Sequence, residues 1–233
     1  MKLGLATIGQ TPRSDLVPTI REHVGEAVDI VERGFLDDKS AGQIAALGPG
    51  SDETHLVTRL RDGSEVPLSR DGIVEEMQKV VESLDEEGAD VIVVLCGHDW
   101  SKVKTRALII NPGMVFPSVV SALAKGRRLG IIKPSPSQIK KAEGQMNDWG
   151  VEDCIATSAS PYIGEARLDA VKTAARKLRE AEVDLVWMSC VGMDEEMRAV
   201  VLEEVGRPAL LARSVISKII AEAVSPLSVS AGA

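Results

Sequence analysis

Short apolar strands alternate with helices along the whole chain, and this alternation constrains the fold more than any other feature of the sequence. Apolar residues at helical spacing predict two long helices, over 71–87 and 164–181. Further helices are predicted after Pro12 and Ser14 to about His23, over 135–150 and over about 193–204. The apolar segments that predict strands are 2–8, 28–34, 90–95, 128–134, 154–160, 184–188 and 208–212. Strands that alternate with helices favour parallel sheets covered on both faces, so the predicted fold class is α/β.

The two halves of the chain repeat the same order of elements. Each half begins with a strand that runs into a polar loop, TIGQTPR in the first half and IIKPSPS in the second. Each half ends with an apolar strand that runs into a cysteine. The first half is longer by roughly the segment 55–70, whose alternation around Asp62-Gly63 predicts a β-hairpin. The pattern therefore predicts a duplicated α/β unit with a hairpin insertion.

The predicted domain boundaries follow from this duplication. Residues 1–113 are expected to form the first lobe, with the insertion, and residues 114–212 the second lobe. A final helix, 213–224, is expected to pack back on the first lobe. Since Pro226 cannot continue that helix, residues 225–233 are predicted to be a flexible tail.

The composition excludes several classes of protein. Asp and Glu number 35 against 27 Lys and Arg, and nucleic-acid binding needs clustered positive charge, so no nucleic-acid partner is expected. No apolar run approaches the roughly 20 residues that cross a bilayer, so we expect a cytoplasmic protein without a membrane partner. The three cysteines should then be reduced thiols. The absence of Cys-x-x-Cys spacing and of glycine-rich nucleotide motifs predicts no metal and no cofactor.

Two cysteines, Cys96 and Cys190, follow matching strands in the two halves. Ligands of open parallel sheets bind at the carboxyl ends of the strands, so facing lobes would bring both thiols to one cleft. Such a pair suits the removal of a proton from one face of a carbon beside a carboxylate and the delivery of a proton to the other face. The helix that follows Cys190 favours its thiolate, although the acids of its first turn oppose it.

Further candidate site residues lie in the loops that follow the strands. Arg13 is a candidate counter-charge for a carboxylate, and His98 could set the proton state of Cys96. Gly97 and Gly192 would let backbone N–H groups approach a substrate oxygen. Helix starts and exposed loops account for several of these residues equally well. The remaining candidates for substrate binding are Thr7, Gln10, Thr11, Ser135 and Val191.

The motifs TIGQTPRSD and SCVGM, with the paired cysteines, resemble the AroM family within the aspartate/glutamate/hydantoin racemase superfamily. The resemblance covers about residues 2–224. It implies two pseudosymmetric flavodoxin-like lobes with an active-site cleft between them, no metal or cofactor, and a homodimer. It also implies that Cys96 and Cys190 are the two acid/base cysteines. Gly97-His98 replaces the Asn-Thr pair that often binds the substrate carboxylate in that superfamily, so this contact differs here.

The leading hypothesis is a cofactor-independent racemase or isomerase that acts on a small amino-acid-, hydroxy-acid- or hydantoin-like substrate. Decarboxylases and maleate isomerases of the same superfamily use one or both cysteine positions, and either reaction is an alternative on the same fold. The alternative from another class is a non-catalytic protein that binds a small carboxylate. The substrate and its handedness stay open, as do the roles of Glu195 and Arg213.

Overall fold

A computed structural model describes residues 1–51, 53 and 55–225, so most of the predicted tail lies outside the described residues. Two four-stranded parallel sheets and one two-stranded hairpin form its frame. The strands are β1 (Lys2–Thr7), β2 (Asp29–Gly34), β3 (Leu56–Arg59), β4 (Glu65–Leu68), β5 (Val91–Val94), β6 (Leu108–Ile110), β7 (Leu129–Lys133), β8 (Cys154–Ser158), β9 (Leu185–Met188) and β10 (Ala209–Leu211).

The two sheets have the same strand order, which accounts for the repeated rhythm of the sequence. The first runs β2-β1-β5-β6 and the second runs β8-β7-β9-β10. The correspondence pairs β1 with β7 and β5 with β9, so the cysteines that follow β5 and β9 occupy equivalent positions. Within each sheet the central strands are buried and almost wholly apolar, as expected for strands covered on both faces. The predicted α/β class with two pseudosymmetric lobes is confirmed.

Eight α-helices of the described residues cover the faces of the sheets. They are α1 (Val17–Val24), α2 (Ala41–Ala46), α3 (Ile73–Glu86), α4 (Pro112–Ala124), α5 (Ala142–Asp148), α6 (Ala166–Glu180), α7 (Glu195–Val205) and α8 (Ala212–Val224). The largest apolar cluster contains residues of α1, α4 and α8 together with residues of both sheets, so these helices join the lobes into one core. Separate clusters pack α2 and α3 on the outer face of the first sheet and α6 and α7 on the second.

The final helix returns to the first half of the chain. α8 packs against α1 and β5, and its last turn is tied to α1, because the Ser225 hydroxyl donates to the Val24 carbonyl at 3.2 Å. Among the described residues, no helix combines the length and the apolarity that crossing a membrane requires. The domain boundaries at 113 and 212 stay predictions.

The hairpin formed by β3 and β4 bridges the two lobes. Its strands are antiparallel, and Gly63 in the turn has φ +95°, a conformation that favours glycine. Just before β3, the His55 ring contacts the Ser135 hydroxyl at 3.1 Å, while Glu65 at the start of β4 accepts from the Ser160 hydroxyl. The predicted insertion therefore spans from one lobe to the other and closes one side of the cleft between them.

Three parts of the chain differ from the elements that the sequence predicts. The strand β6 and the helices α2 and α4 lie where no element was predicted. The predicted helix over 135–150 is divided into a 3-10 helix, Pro136–Lys141, followed by α5. Ser135 caps the 3-10 segment through the Ser137 amide, and at its end the Ala142 N–H donates to the Ile139 carbonyl three residues earlier, which is the bonding pattern of a 3-10 helix.

Candidate active site

Both strand-end cysteines line one cavity between the lobes. Its volume is about 260 Å³, which suits a small organic acid. The first lobe contributes Cys96 and the loop after it, the second contributes Cys190, and the hairpin covers one side. All three cysteines are free, and Cys154 is the first residue of β8, outside this cavity. The chain thus presents two thiols, one from each lobe, to the same enclosed space.

The Cys190 sulfur is surrounded by hydrogen-bond donors. The Gly192 N–H donates to it at 3.4 Å, and the Tyr162 hydroxyl lies within hydrogen-bonding reach. Arg13 in turn donates to the Tyr162 oxygen at 3.3 Å and pairs with Asp15 at 2.8 Å. Donors around a sulfur favour its thiolate form. A chain of contacts from Asp15 through Arg13 and Tyr162 therefore ends at Cys190.

The loop that carries Cys96 is fixed by its own contacts. The Trp100 indole donates to the Cys96 carbonyl at 3.0 Å and packs edge-on against the His98 ring, with 5.0 Å between the ring centroids. Asn111, the N-cap of α4, accepts from the Trp100 amide at 3.2 Å. A backbone N–H of His98 is the donor that favours the Cys96 thiolate. Cys96 thus has fewer groups that stabilise its anion than Cys190 has.

Burial governs the proton state of both thiols. Burial, with a smaller contribution from the negative charge that Cys190 can carry, raises the pKa of Cys96 to about 11. It also raises the pKa of Cys190, against the lowering effects of the Gly192 amide, Arg13 and Tyr162. The helix dipole at Cys190 favours the thiolate and the acids of the first helical turn oppose it, and desolvation outweighs the dipole. Both sulfurs are therefore mainly protonated at neutral pH.

Lys133 is a cavity residue that the sequence analysis missed. It ends β7, its side chain is only 6% exposed, and its ammonium donates to the Gln145 oxygen at 2.6 Å. Burial, together with the positive charge of nearby Arg70, lowers its pKa to about 8. A charged residue at the carboxyl end of a buried strand was visible in IIKPSPS, but only the fold reveals that it faces Cys190.

The structure brings some of the predicted residues together around the cavity. Arg13, Gly97, His98 and Val191 line it with the two cysteines. Arg13 is buried, and its guanidinium donates hydrogen bonds to the side chains of Asp15, Thr7 and Tyr162. Gly192 lies directly behind the cavity wall, against Tyr162.

The other predicted residues are engaged within the protein. The Thr7 hydroxyl accepts from Arg13 at 2.9 Å, and the Thr11 hydroxyl donates to Asp37 at 2.8 Å. The Gln10 amide donates to a backbone carbonyl at 3.1 Å. Ser135 contacts His55 and caps the 3-10 helix. These contacts give each side chain a structural task, and their predicted role in substrate binding stays a prediction.

Two residues whose roles the sequence left open position the loop after Cys190 and the helix that follows it. Arg213 is buried and donates to the Val191 carbonyl at 3.0 Å and to the Gly192 carbonyl at 2.7 Å. Glu195 accepts from Ser214 and from Arg198 on the outside of α7. Arg213 thus orients the backbone amides beside Cys190, while Glu195 anchors α7 to α8.

The substitution Gly192→Ala tests how closely Gly192 packs against Tyr162, whose hydroxyl lies within reach of Cys190. A Cβ at this position would lie 2.2 Å from the Tyr162 oxygen, so Gly192→Ala forces the hydroxyl away from the sulfur. We expect a loss of about 1 to 2 kcal/mol in unfolding free energy by urea titration. Gly42→Ala is the control, because its Cβ meets nothing within 4 Å, and a gain of up to about 1 kcal/mol is expected in that helix. Equal stability of Gly192→Ala and the unsubstituted chain would contradict the crowding.

Comparison with solved structures identifies the class of this fold. Glutamate racemase from Aquifex pyrophilus is 18% identical with TM-score 0.56, over 97% of this chain and 84% of that chain. Allantoin racemase from Pseudomonas fluorescens is 11% identical with TM-score 0.56, over 100% of both chains. Unliganded arylmalonate decarboxylase is 13% identical with TM-score 0.55, over 100% of this chain and 94% of that chain. The chain has the fold of the aspartate/glutamate racemase-like proteins.

The family follows from the sequence itself. The model of the family described as AroM protein matches residues 3–224, and the chain belongs to that family. No curated protein sequence matches the chain.

Proposed function

We propose that this protein is a cofactor-independent racemase or isomerase that moves a proton at a carbon beside a carboxyl or amide carbonyl. The observation that carries the proposal is the position of Cys96 and Cys190, which line a single cavity from opposite lobes. The cavity volume of about 260 Å³ supports a small substrate.

The reaction needs one thiolate and one thiol. The thiolate takes the proton from the carbon, and the electron pair of the C–H bond passes into the adjacent carbonyl to give an enolate-like anion. The second thiol then delivers its proton to the opposite face of the carbon and becomes a thiolate. Each turnover leaves the proton on the other sulfur, so atoms and charge balance without a metal, an oxidant or a cofactor.

The contacts of the two sulfurs differ, and the difference assigns their roles. Cys190 has the Gly192 amide and the Tyr162 hydroxyl as donors and the guanidinium of Arg13 behind them, so it loses its proton more readily than Cys96, and its thiolate fraction starts the reaction. Cys96 carries the proton that is delivered. A substrate of the opposite hand uses the two sulfurs in the reverse order.

Proton exchange tests this proposal directly. In D₂O, the protein is incubated with a panel of amino acids, hydroxy acids and hydantoins, and both deuterium at the α-carbon and chirality are followed. Cys154→Ser provides a chain in which Cys96 and Cys190 are the only thiols, so iodoacetamide then blocks only the proposed pair. We expect deuterium incorporation with inversion before alkylation and neither afterwards. Undiminished exchange by the fully alkylated chain would rule out the thiol mechanism.

A second candidate is a non-catalytic protein that binds a small carboxylate. The observation that favours it is the raised pKa of both thiols, because a thiol that stays protonated at neutral pH cannot accept the proton of a substrate. The same panel separates the two candidates: a binder is stabilised against heat by a ligand that shows no exchange, whereas the enzyme exchanges the proton of the ligand that stabilises it.

A further inference from the structure

We propose that Lys133 and Arg70 form an anion-binding subsite that selects substrates with a second negatively charged group, apart from the carbonyl or carboxyl that activates the reacting carbon. This inference rests on the proposed function for the position of the reacting carbon between the two sulfurs. It deepens that function by assigning the charge of the substrate.

Lys133 is buried without a counter-charge. The side chain is 6% exposed, and its one described hydrogen bond goes to the neutral Gln145. Among the described residues, no Asp or Glu contributes to its pKa, and the groups that favour its charge are the thiols of Cys154 and Cys190. Burial of an ammonium is costly unless an anion compensates it. A negatively charged ligand in the cavity would supply that anion.

The two cations lie between the thiols and the outside of the cavity. Lys133, Arg70, Gln138 and Gln145 line the cavity and also line an open depression of about 530 Å³ beside it. The cysteines line only the inner cavity. Lys133 and Arg70 thus stand at the boundary between the two, on the route that a substituent of the substrate would follow outward from the reacting carbon.

The depression is lined mainly by positive charge. Lys140 and Lys141 lie there with Lys133 and Arg70, against a single carboxylate, Asp148. The whole chain carries a formal charge of −8, so this concentration of positive charge is local. A depression lined by positive charge attracts anions and raises the rate at which they enter the cavity. The same chemistry would hold a carboxylate or a phosphoryl group, and the test distinguishes them.

Binding of three matched ligands tests the subsite. Succinate and butyrate have the same chain length and differ by one carboxylate, and 3-phosphonopropionate replaces that carboxylate by a phosphonate. We expect calorimetry to give tighter binding of succinate or 3-phosphonopropionate than of butyrate, with the tighter of the two identifying the group. Lys133→Met should weaken the binding of that ligand by roughly 30-fold, and exposed Arg70→Gln by roughly 3-fold. Lys125→Met, an exposed lysine at the end of α4, is the charge-matched control and should bind as the unsubstituted chain does.

Three other results would each contradict the proposed subsite. These results are equal binding of the three ligands, no binding of any of them, and unchanged affinity in both Lys133→Met and Arg70→Gln. Methionine fills the space of the lysine stem without its charge, and thermal unfolding confirms that the variant is folded. Because the measurement is binding, its result does not depend on whether the thiols transfer protons, so a failure of the proposed function would not be mistaken for a failure of the subsite.

Discussion

Cys190→Ser and Cys96→Ser are each expected to lose inversion, and Cys190→Ser is expected to lose far more α-proton exchange than Cys96→Ser, which keeps exchange of the enantiomer whose proton faces Cys190. Serine is too weak an acid to replace the thiolate, so without Cys190 the resting enzyme lacks the base that its donors favour. Without Cys96, the Cys190 thiolate still removes the proton on its own face and returns a solvent deuteron there. We expect a loss of inversion of about 10³-fold in each variant.

Chiral chromatography and mass spectrometry of the same reaction in D₂O separate these outcomes. Cys154→Ser is the matched control, since that thiol begins β8 outside the cavity, and it should retain both exchange and inversion. Deuterium uptake without inversion by Cys190→Ser instead of Cys96→Ser would reverse the assignment of the two roles. Inversion at the normal rate in either variant would end the two-base mechanism.

The repeated pattern of the sequence was sufficient to predict the two lobes and the equivalence of β5 and β9. Helices show apolar residues at helical spacing, and buried strands are short apolar runs. Both patterns depend on local geometry that the sequence records. The helix α4 was missed because its segment contains Pro112 and Pro117, and a proline in a sequence usually marks a turn or the end of a helix. Pro112 occupies the first helical position, where its missing N–H costs nothing, and burial of Phe116 and Val120 in the shared core stabilises the rest.

The residues of the candidate site also fall into those that the sequence could predict and those that it could not. Both cysteines follow strands, so their convergence followed from the topology of parallel sheets. Tyr162 and Arg70 lie in no repeated motif and reach the cavity through a loop and the hairpin, while Lys133 ends the strand of IIKPSPS without a lysine at the matching place of the first half. The raised pKa of Cys190 could not be predicted from the sequence for a related reason. A helix start is visible in a sequence, but the depth of burial that opposes the dipole depends on how the two lobes close together.

Tyr162→Phe is expected to shift the pH dependence of proton exchange to higher pH. The hydroxyl within reach of Cys190 lowers the pKa of that thiol, and a hydrogen bond to a charged group contributes about 1.5 to 3 kcal/mol. Its loss should raise the Cys190 pKa by about 1 to 2 units, so the exchange rate near pH 7 should fall roughly 10- to 100-fold. The rate should recover as the pH rises toward the new pKa, because the thiolate is then restored.

This recovery distinguishes a positioning role from a structural one. Tyr162 is the only tyrosine of the chain, and phenylalanine keeps its ring, so a purely structural effect would lower the rate equally at every pH. Thr105→Val is a control for the loss of a hydroxyl, because Thr105 donates to Asp85 at 2.7 Å and does not line the cavity, and its pH profile should be unchanged. If the rising limb of the Tyr162→Phe profile coincides with that of the unsubstituted chain, the hydroxyl does not set the proton state of Cys190. The chain of contacts from Asp15 to the sulfur would then serve only the packing of the lobes.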